Sequence, residues 1–212
     1  MPTATPRQTM KDEIAYFMRR LYDRGLTTCS GGNLSWRDDD GTVLITPSGL
    51  DKGRMTGEQI GEIAPDGTNL TPALKPSMET GMHLAIFAAR PDVRAIVHAH
   101  PVTCTSFTAS HRPIRCDLIA EARAILGEPV EASYALMGTP ELARIVAEHA
   151  QSTNVILMAN HGVLTVGKSL LQAFDRIEVL EASARMTILT EILGERRPLT
   201  GAQMAEIDQL MH

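Results

Sequence analysis

The spacing of apolar residues changes several times along the chain, and each change marks an element. From about Met10, the residues Ile14, Phe17, Met18, Leu21 and Tyr22 recur at helical spacing, and Gly25 supplies a stop. The pattern then shortens to strand-like runs at 34–37 and 42–46. Between them lies Asp38-Asp39-Asp40-Gly41, whose composition predicts a hairpin turn. A third short run, 59–64, ends at the turn Pro65-Asp66-Gly67. Ser77 followed by Glu79 predicts a helix start, and Met82, Leu84, Ile86 and Phe87 carry that helix to Arg90-Pro91. Residues 93–99 predict a strand that Pro101 stops, followed by one helix after Pro101 and another over 118–126. Thr139-Pro140 opens a further helix to about Ala150, with threonine as N-cap and proline in the first helical position. Strands at 155–158 and 163–166 flank Ala159-Asn160-His161-Gly162, and a long helix over 169–193 and a short terminal one follow. The result is a mixed α/β chain whose early hairpin argues for antiparallel pairing rather than a doubly wound parallel sheet.

No repeat, low-complexity tract or linker divides the 212 residues, which suffice for one domain with a substantial core. Hydrophobic residues make up 43% and charged residues 21%, the balance of a globular protein. The net charge is −5 with no cluster of Lys or Arg, which argues against a nucleic-acid partner. No apolar run approaches the roughly 18 residues of a membrane span, so no membrane partner is expected. The opening MPTATPRQTMKDE lacks the basic-then-apolar plan of a signal peptide. Three cysteines, Cys29, Cys104 and Cys116, form an odd set without CxxC spacing, which favours a reduced, cytoplasmic setting.

Candidate chemistry begins with IVHAHPVTC at 96–104. On a strand, residues i and i+2 face the same way, whereas on a helix they splay about 200° apart. His98 and His100 are therefore expected to project together, an arrangement that suits two imidazoles on one cation. The pair alone is a weak signal and reads first as ordinary polar residues at a strand end. His161 adds a third nitrogen at the junction Asn160-His161-Gly162, where glycine is expected to let the backbone turn. Three imidazoles with an open position match catalytic rather than structural zinc sites. His83, His111, His149 and His212 lack such company; His83, one turn after Glu79 on the same helix, reads first as a partly buried helix residue and second as a support behind Glu79. Cys104 reads as a small core residue of the helix after Pro101.

Glu79 is the leading candidate for proton transfer. Without the histidines it would read as a first-turn acid complementing the helix dipole; beside a Lewis acid, an enclosed carboxylate can exchange protons near neutral pH. Three segments, Ser30-Gly31-Gly32-Asn33, Thr46-Pro47-Ser48-Gly49 and Lys75-Pro76-Ser77-Met78, combine hydroxyl or amide side chains with loop N–H groups, the parts of a phosphate cradle. Each taken singly also reads as a turn. Neither GxxxxGK[ST] nor GxGxxG occurs.

Taken in order, GGNLS (31–35), TPSG (46–49), KPSMET (75–80), HAHP (98–101), YALMGTPELA (134–143) and NHG (160–162) resemble the class II aldolase/adducin family, nearest to its fuculose-1-phosphate aldolase type. The resemblance runs from the first helix to about Leu193. It implies a three-layer α/β/α fold with a mainly antiparallel central sheet, formed by residues 1–212 as one domain. It also implies a homotetramer with active sites at subunit interfaces. His98, His100 and His161 would bind Zn2+ or another divalent cation such as Mn2+ or Co2+, and Glu79 would move the proton. Asn33, Ser48, Gly49 and Ser77, with Gly32 beside them, would hold the phosphate of a small sugar phosphate. The implied reaction is aldol cleavage of a ketose 1-phosphate (deoxypentulose, methylthio-pentulose or fuculose type) to dihydroxyacetone phosphate and an aldehyde. The alternatives within the family are a methylthioribulose-1-phosphate dehydratase and a sugar-phosphate epimerase; from another class comes a metal-free, adducin-like scaffold. Two positions depart from the pattern: Met78 replaces a second serine of the phosphate site, and Asp117 aligns with a tyrosine acting at the aldehyde end.

Overall fold

The computed structural model describes residues 5–211, so His212 lies outside the described residues. A seven-stranded sheet with the order β3-β2-β1-β4-β7-β6-β5 forms the centre. Its strands are β1 (Asn33–Arg37), β2 (Val43–Ile45), β3 (Gly61–Ile63), β4 (Ala95–Ala99), β5 (Val130–Ala132), β6 (Val155–Met158) and β7 (Gly162–Gly167). Every pairing is antiparallel except β5 with β6, so the sheet is mixed and mostly antiparallel. Strand β5 carries no period-2 signal in the sequence: its three residues border on Pro129 and expose Glu131.

Helices cover both faces, giving the three-layer arrangement expected from the family resemblance. Along β4, Ala95, Val97 and Ala99 face a core built with α1 (Pro6–Asp23), α3 (Val102–Thr108), α4 (Ala120–Leu126) and α6 (Leu170–Leu193). Ile96 faces the opposite core, formed with α2 (Thr80–Ala89) and α5 (Pro140–Ala150). This alternation is the pleat expressed as burial. Cys104 is wholly buried in the first core, as expected of it. The last helix, α7 (Gly201–Met211), is joined to α4 by the Arg123–Asp208 ion pair at 2.6 Å. No helix among the described residues is long and apolar enough to cross a membrane.

Element ends show where local chemistry overrides apolar spacing. Helix α1 begins at Pro6, four residues ahead of the apolar pattern, because Thr5 accepts a hydrogen bond from the Gln8 N–H. Ser77 does not open α2. Its Oγ accepts from the Glu79 N–H at 3.3 Å and its carbonyl from the Thr80 N–H at 3.1 Å, so a turn precedes a helix that starts at Thr80. The third run is shortened to β3 because Thr56 and Gln59 form a reciprocal cap around a 3-10 turn, Gly57–Gln59.

Candidate active site

Central strands set the position of the site. His98 in β4 lies directly opposite Asn33 in β1 and Leu164 in β7. Its imidazole is fully buried, with Nδ1 2.9 Å from the Val163 carbonyl oxygen. A carbonyl can only accept, so Nδ1 carries the hydrogen and Nε2 is presented inward. His100, one residue beyond the strand, brings its Nε2 to 3.0 Å from that of His98. His161 comes from the β6–β7 junction, and one ring nitrogen from each of the three lies within 4.8 Å of the others. The turn that carries His161 is made by Asn160, with φ of 54°, and not by Gly162 as the sequence suggested. Gly162 is required for another reason: a Cβ there would lie 2.4 Å from His100 Cδ2 and 2.8 Å from the Ala99 carbonyl oxygen.

Glu79 stands at the N-cap of α2, yet its side chain makes no capping hydrogen bond. It turns to the histidines instead, with Oε2 3.2 Å from His98 Nε2 and Oε1 3.0 Å from His161 Nε2. The contact at Oε1 lacks hydrogen-bond alignment, which leaves this buried oxygen without a donor. Burial pushes the Glu79 carboxyl up, but the charge of His98, the close imidazoles of His161 and His98 and the hydrogen bond from Asn33 outweigh it and hold the group well below the usual carboxylate range. Burial likewise opposes a charged His98, but the Glu79 charge, its hydrogen bond and the Val163 carbonyl raise that imidazole. His100 moves the other way, pushed down to about 3 by burial and by His98 and His161.

These observations meet the requirements of a divalent-cation site. Two imidazole nitrogens face each other, three share a small volume, and a buried carboxylate oxygen beside them has no donor. Bonds of about 2.0–2.1 Å from one cation to imidazole nitrogens are compatible with that spacing.

Behind Glu79 runs a hydrogen-bonded chain in which His83 takes the lesser of its two expected roles, joined by Asn33 and Ser35, whose part in it was not expected. Asn33 Nδ2 donates to Glu79 Oε2 at 2.7 Å, and Asn33 Oδ1 accepts from His83 Nε2 at 2.6 Å. His83 Nδ1 then accepts from Ser35 Oγ at 2.6 Å. His83 is wholly buried rather than partly so, and burial lowers its pKa to about 3, which keeps it neutral. The available signal was its position four residues after Glu79, which places it one helical turn below the carboxylate.

A cavity of about 190 Å3 opens beside this cluster, lined in part by Gly32, Asn33, Ser48, Ser77, Glu79, His100 and His161. Gly32 has φ of 65°, and a Cβ there would lie 2.7 Å from the His98 carbonyl oxygen. Gly49 is not among the lining residues; with φ of 76° it turns the chain after Ser48. Met78 also lines the cavity and is 64% exposed. Two residues not anticipated from the sequence, Lys52 and Met137, complete the wall. Asp117 lies outside it, with Oδ2 2.5 Å from the Arg115 guanidinium. A larger groove of about 520 Å3 between α2 and α5 shares Met78 and Glu79 with the site but none of the histidines. His100, His161, Asn33, Ser48 and Ser77 line the smaller cavity and not the groove, which makes the smaller cavity the candidate site.

The fold and site thus define a class: a mixed sheet whose central strands gather three imidazoles and one carboxylate next to a small polar cavity. Residues 12–188 match the family described as Class II Aldolase and Adducin N-terminal domain. An L-fuculose phosphate aldolase of Methanococcus maripaludis is 35% identical over 84% of this chain and 95% of that protein. A 3-oxo-tetronate 4-phosphate decarboxylase of Haemophilus influenzae is 32% identical over 93% of this chain and 95% of that protein. The solved structure of YgbL from Escherichia coli superposes with a TM-score of 0.90 at 28% identity, covering 96% of this chain and 99% of that one. The chain belongs to the class II aldolase and adducin family and is of the fuculose-1-phosphate aldolase type.

Proposed function

We propose that the protein is a metal-dependent lyase that breaks the carbon–carbon bond one carbon removed from the ketone of a small sugar phosphate. The observation that carries this reading is the meeting of His98, His100, His161 and Glu79 at one end of a cavity lined by Ser48, Ser77 and Asn33. The three histidines would hold Zn2+ or another divalent cation, such as Mn2+ or Co2+. When bound, the cation would polarise the substrate ketone and offset the charge that develops on its oxygen. Ser48, Ser77, Asn33 and the N–H groups around Gly32 would seat the phosphate, which fixes the reacting carbons beside Glu79. In a ketose 1-phosphate the ionised Glu79 would take the proton of the C4 hydroxyl as the C3–C4 bond breaks, the electron pair of that bond remains on C3 as an enediolate, and C4 with the carbons beyond it leaves as an aldehyde. Glu79 then returns that proton to C3, and dihydroxyacetone phosphate is released. The retained Asn33 hydrogen bond steers the carboxylate during that transfer.

A second reading uses the same machinery. A 2-hydroxy-3-oxo acid 4-phosphate that loses carbon dioxide from C1 leaves the same enediolate, and protonation at C2 gives the same triose phosphate. Carbon dioxide departs from a carboxylate with no hydroxyl proton to be removed at the leaving end, and the pairing of Asp117 with Arg115 outside the cavity favours this reading. Within the family, dehydration and epimerisation would use the same carboxylate and cation. The presence of the three histidines and Glu79 opposes a metal-free scaffold.

Residues 1–212 act, on this reading, as one domain in a cytoplasmic homotetramer with sites at subunit interfaces. The exposed apolar residues Met78 and Met137, which line the cavity, and the exposed Tyr134 and Leu136 just before Met137 in the chain support that assembly. The test is to incubate metal-loaded protein with a panel of ketose 1-phosphates and 2-hydroxy-3-oxo acid 4-phosphates, measuring dihydroxyacetone phosphate, aldehyde and carbon dioxide. Triose phosphate with aldehyde supports the aldolase, and triose phosphate with carbon dioxide the decarboxylase. Absence of triose phosphate from every substrate overturns both.

A further inference from the structure

Lys52 is an unusual residue for the wall of a small cavity. It sits in a 3-10 turn, Lys52–Arg54, whose N-cap Asp51 accepts a hydrogen bond from the Gly53 N–H at 3.0 Å. The Lys52 N–H donates to the Cys29 carbonyl at 2.8 Å, which ties the turn to the start of the Ser30-Gly31-Gly32-Asn33 segment. The side chain is 1% exposed, and Nζ donates to the Pro47 carbonyl at 2.7 Å. An ammonium has three donors. Among the described residues, Pro47 supplies the one hydrogen-bond acceptor given for Nζ, and no carboxylate pairs with it. Buried ammonium groups are ordinarily paired, because removing the charge from water is costly. Ser48, Ser77, Asn33 and Gly32 share this wall and offer hydroxyl, amide or backbone N–H donors, while the one carboxylate of the lining, Glu79, is turned to His98 and His161.

We infer that Lys52 is the charged element of the phosphate cradle, and that the site selects a dianionic phosphate ester over neutral sugars. The inference rests on the sugar-phosphate reading and adds the group that would neutralise the ester. Three loops that end at the cavity carry neutral donors, and Lys52 adds a cation held at fixed position by Pro47 and Cys29. Burial depresses the Lys52 pKa to about 8, the response of an ammonium without a counter-ion; a bound dianion would raise it again. A purely structural role, clamping the Pro47 carbonyl, would make the variants less stable but leave anion recognition unchanged.

The test compares inorganic phosphate binding to metal-loaded wild-type protein, Lys52→Met and Lys52→Gln by titration calorimetry. Folding is checked by circular dichroism and metal content. Loss of one charge-assisted hydrogen bond predicts binding about 10–100-fold weaker in both variants. Phosphate binding within twofold of wild type, or none to wild type itself, overturns the inference. If both variants fail to fold, wild-type protein labelled with 13C at lysine Cε decides: phosphate, but not chloride at equal ionic strength, should shift the Lys52 resonance. An unmoved resonance at saturating phosphate overturns it. The outcomes also separate this inference from the reaction it rests on. Wild type that binds phosphate through Lys52 but forms no triose phosphate refutes the reaction alone. Wild type that turns over while Lys52→Met keeps its KM refutes the inference alone.

Discussion

Replacing His83 with leucine removes the middle of the chain that runs from Ser35 to Glu79. Ser35 Oγ and Asn33 Oδ1 each lose a 2.6 Å hydrogen bond, and both residues are buried. An unsatisfied buried polar group costs about 1–3 kcal/mol, and the added apolar burial of leucine returns roughly 1–2 kcal/mol. The expected net loss is about 2–4 kcal/mol. Urea unfolding followed by the fluorescence of Trp36, the only tryptophan in the sequence and a neighbour of Ser35 in β1, reads it directly. The pH dependence gives an independent signature. The folded pKa of His83, about 3, lies below the ordinary imidazole value of 6.5, so the unfolded chain binds more protons between these values. Wild-type stability therefore falls as pH drops below about 6.5, and the leucine variant should show a shallower slope there. Asn33, released at Oδ1, can turn its amide away from Glu79, so turnover should fall more than substrate affinity. A stability loss below about 0.5 kcal/mol with an unchanged pH slope would refute the claim that this buried chain is held by His83.

His161→Ala should abolish metal binding and turnover together, while circular dichroism stays native; retention of bound metal after dialysis would remove His161 from the ligand set. Gly162→Ala places a methyl against the His100 ring and should weaken metal affinity at least tenfold, measured by competition with a chromophoric chelator. An unchanged affinity would show that the ring can move aside. Lys52 offers a second pH test: its folded pKa of about 8 lies below 10.5, so the unfolded chain holds more protons across that interval. Wild-type stability should accordingly rise, relative to Lys52→Met, by on the order of 3 kcal/mol between pH 8 and 10.5. Equal slopes for the two proteins would contradict the burial of an unpaired ammonium.

Much of the fold was legible in the sequence because its strands and helices carry strong periods. Ile14, Phe17, Met18 and Leu21 mark α1, and Ala95 to Ala99 alternate between two cores as a central strand must. What escaped detection was decided by contacts between distant segments. Strand β5 is ordered by pairing with Met158 and its neighbours rather than by its own pattern. Lys52 shows nothing in its local sequence of burial against Pro47 and Cys29. Ser77 carries the signature of a helix cap but spends it on a turn. The histidines were recognisable because two of them share a strand face, whereas the partnership of Asn33 with Glu79 and His83 depends on β1 lying beside β4.

That adjacency divides the molecule into two kinds of material. Asn33 and His98 occupy facing positions of paired strands at the centre of the sheet, so the place where charge is handled is inherited from strand register. Ser48, Lys52, Ser77 and Met137 sit on connecting segments outside the strands. A mutation that slips the register dismantles the charge-handling apparatus at once, because His100 and His161 each adjoin a strand end; one that reshapes the connection carrying Ser48 and Lys52 changes the molecule that is admitted. The lineage of such a chain can therefore exchange its substrate in small steps along that connection while its apparatus for carbon chemistry stays anchored to the sheet.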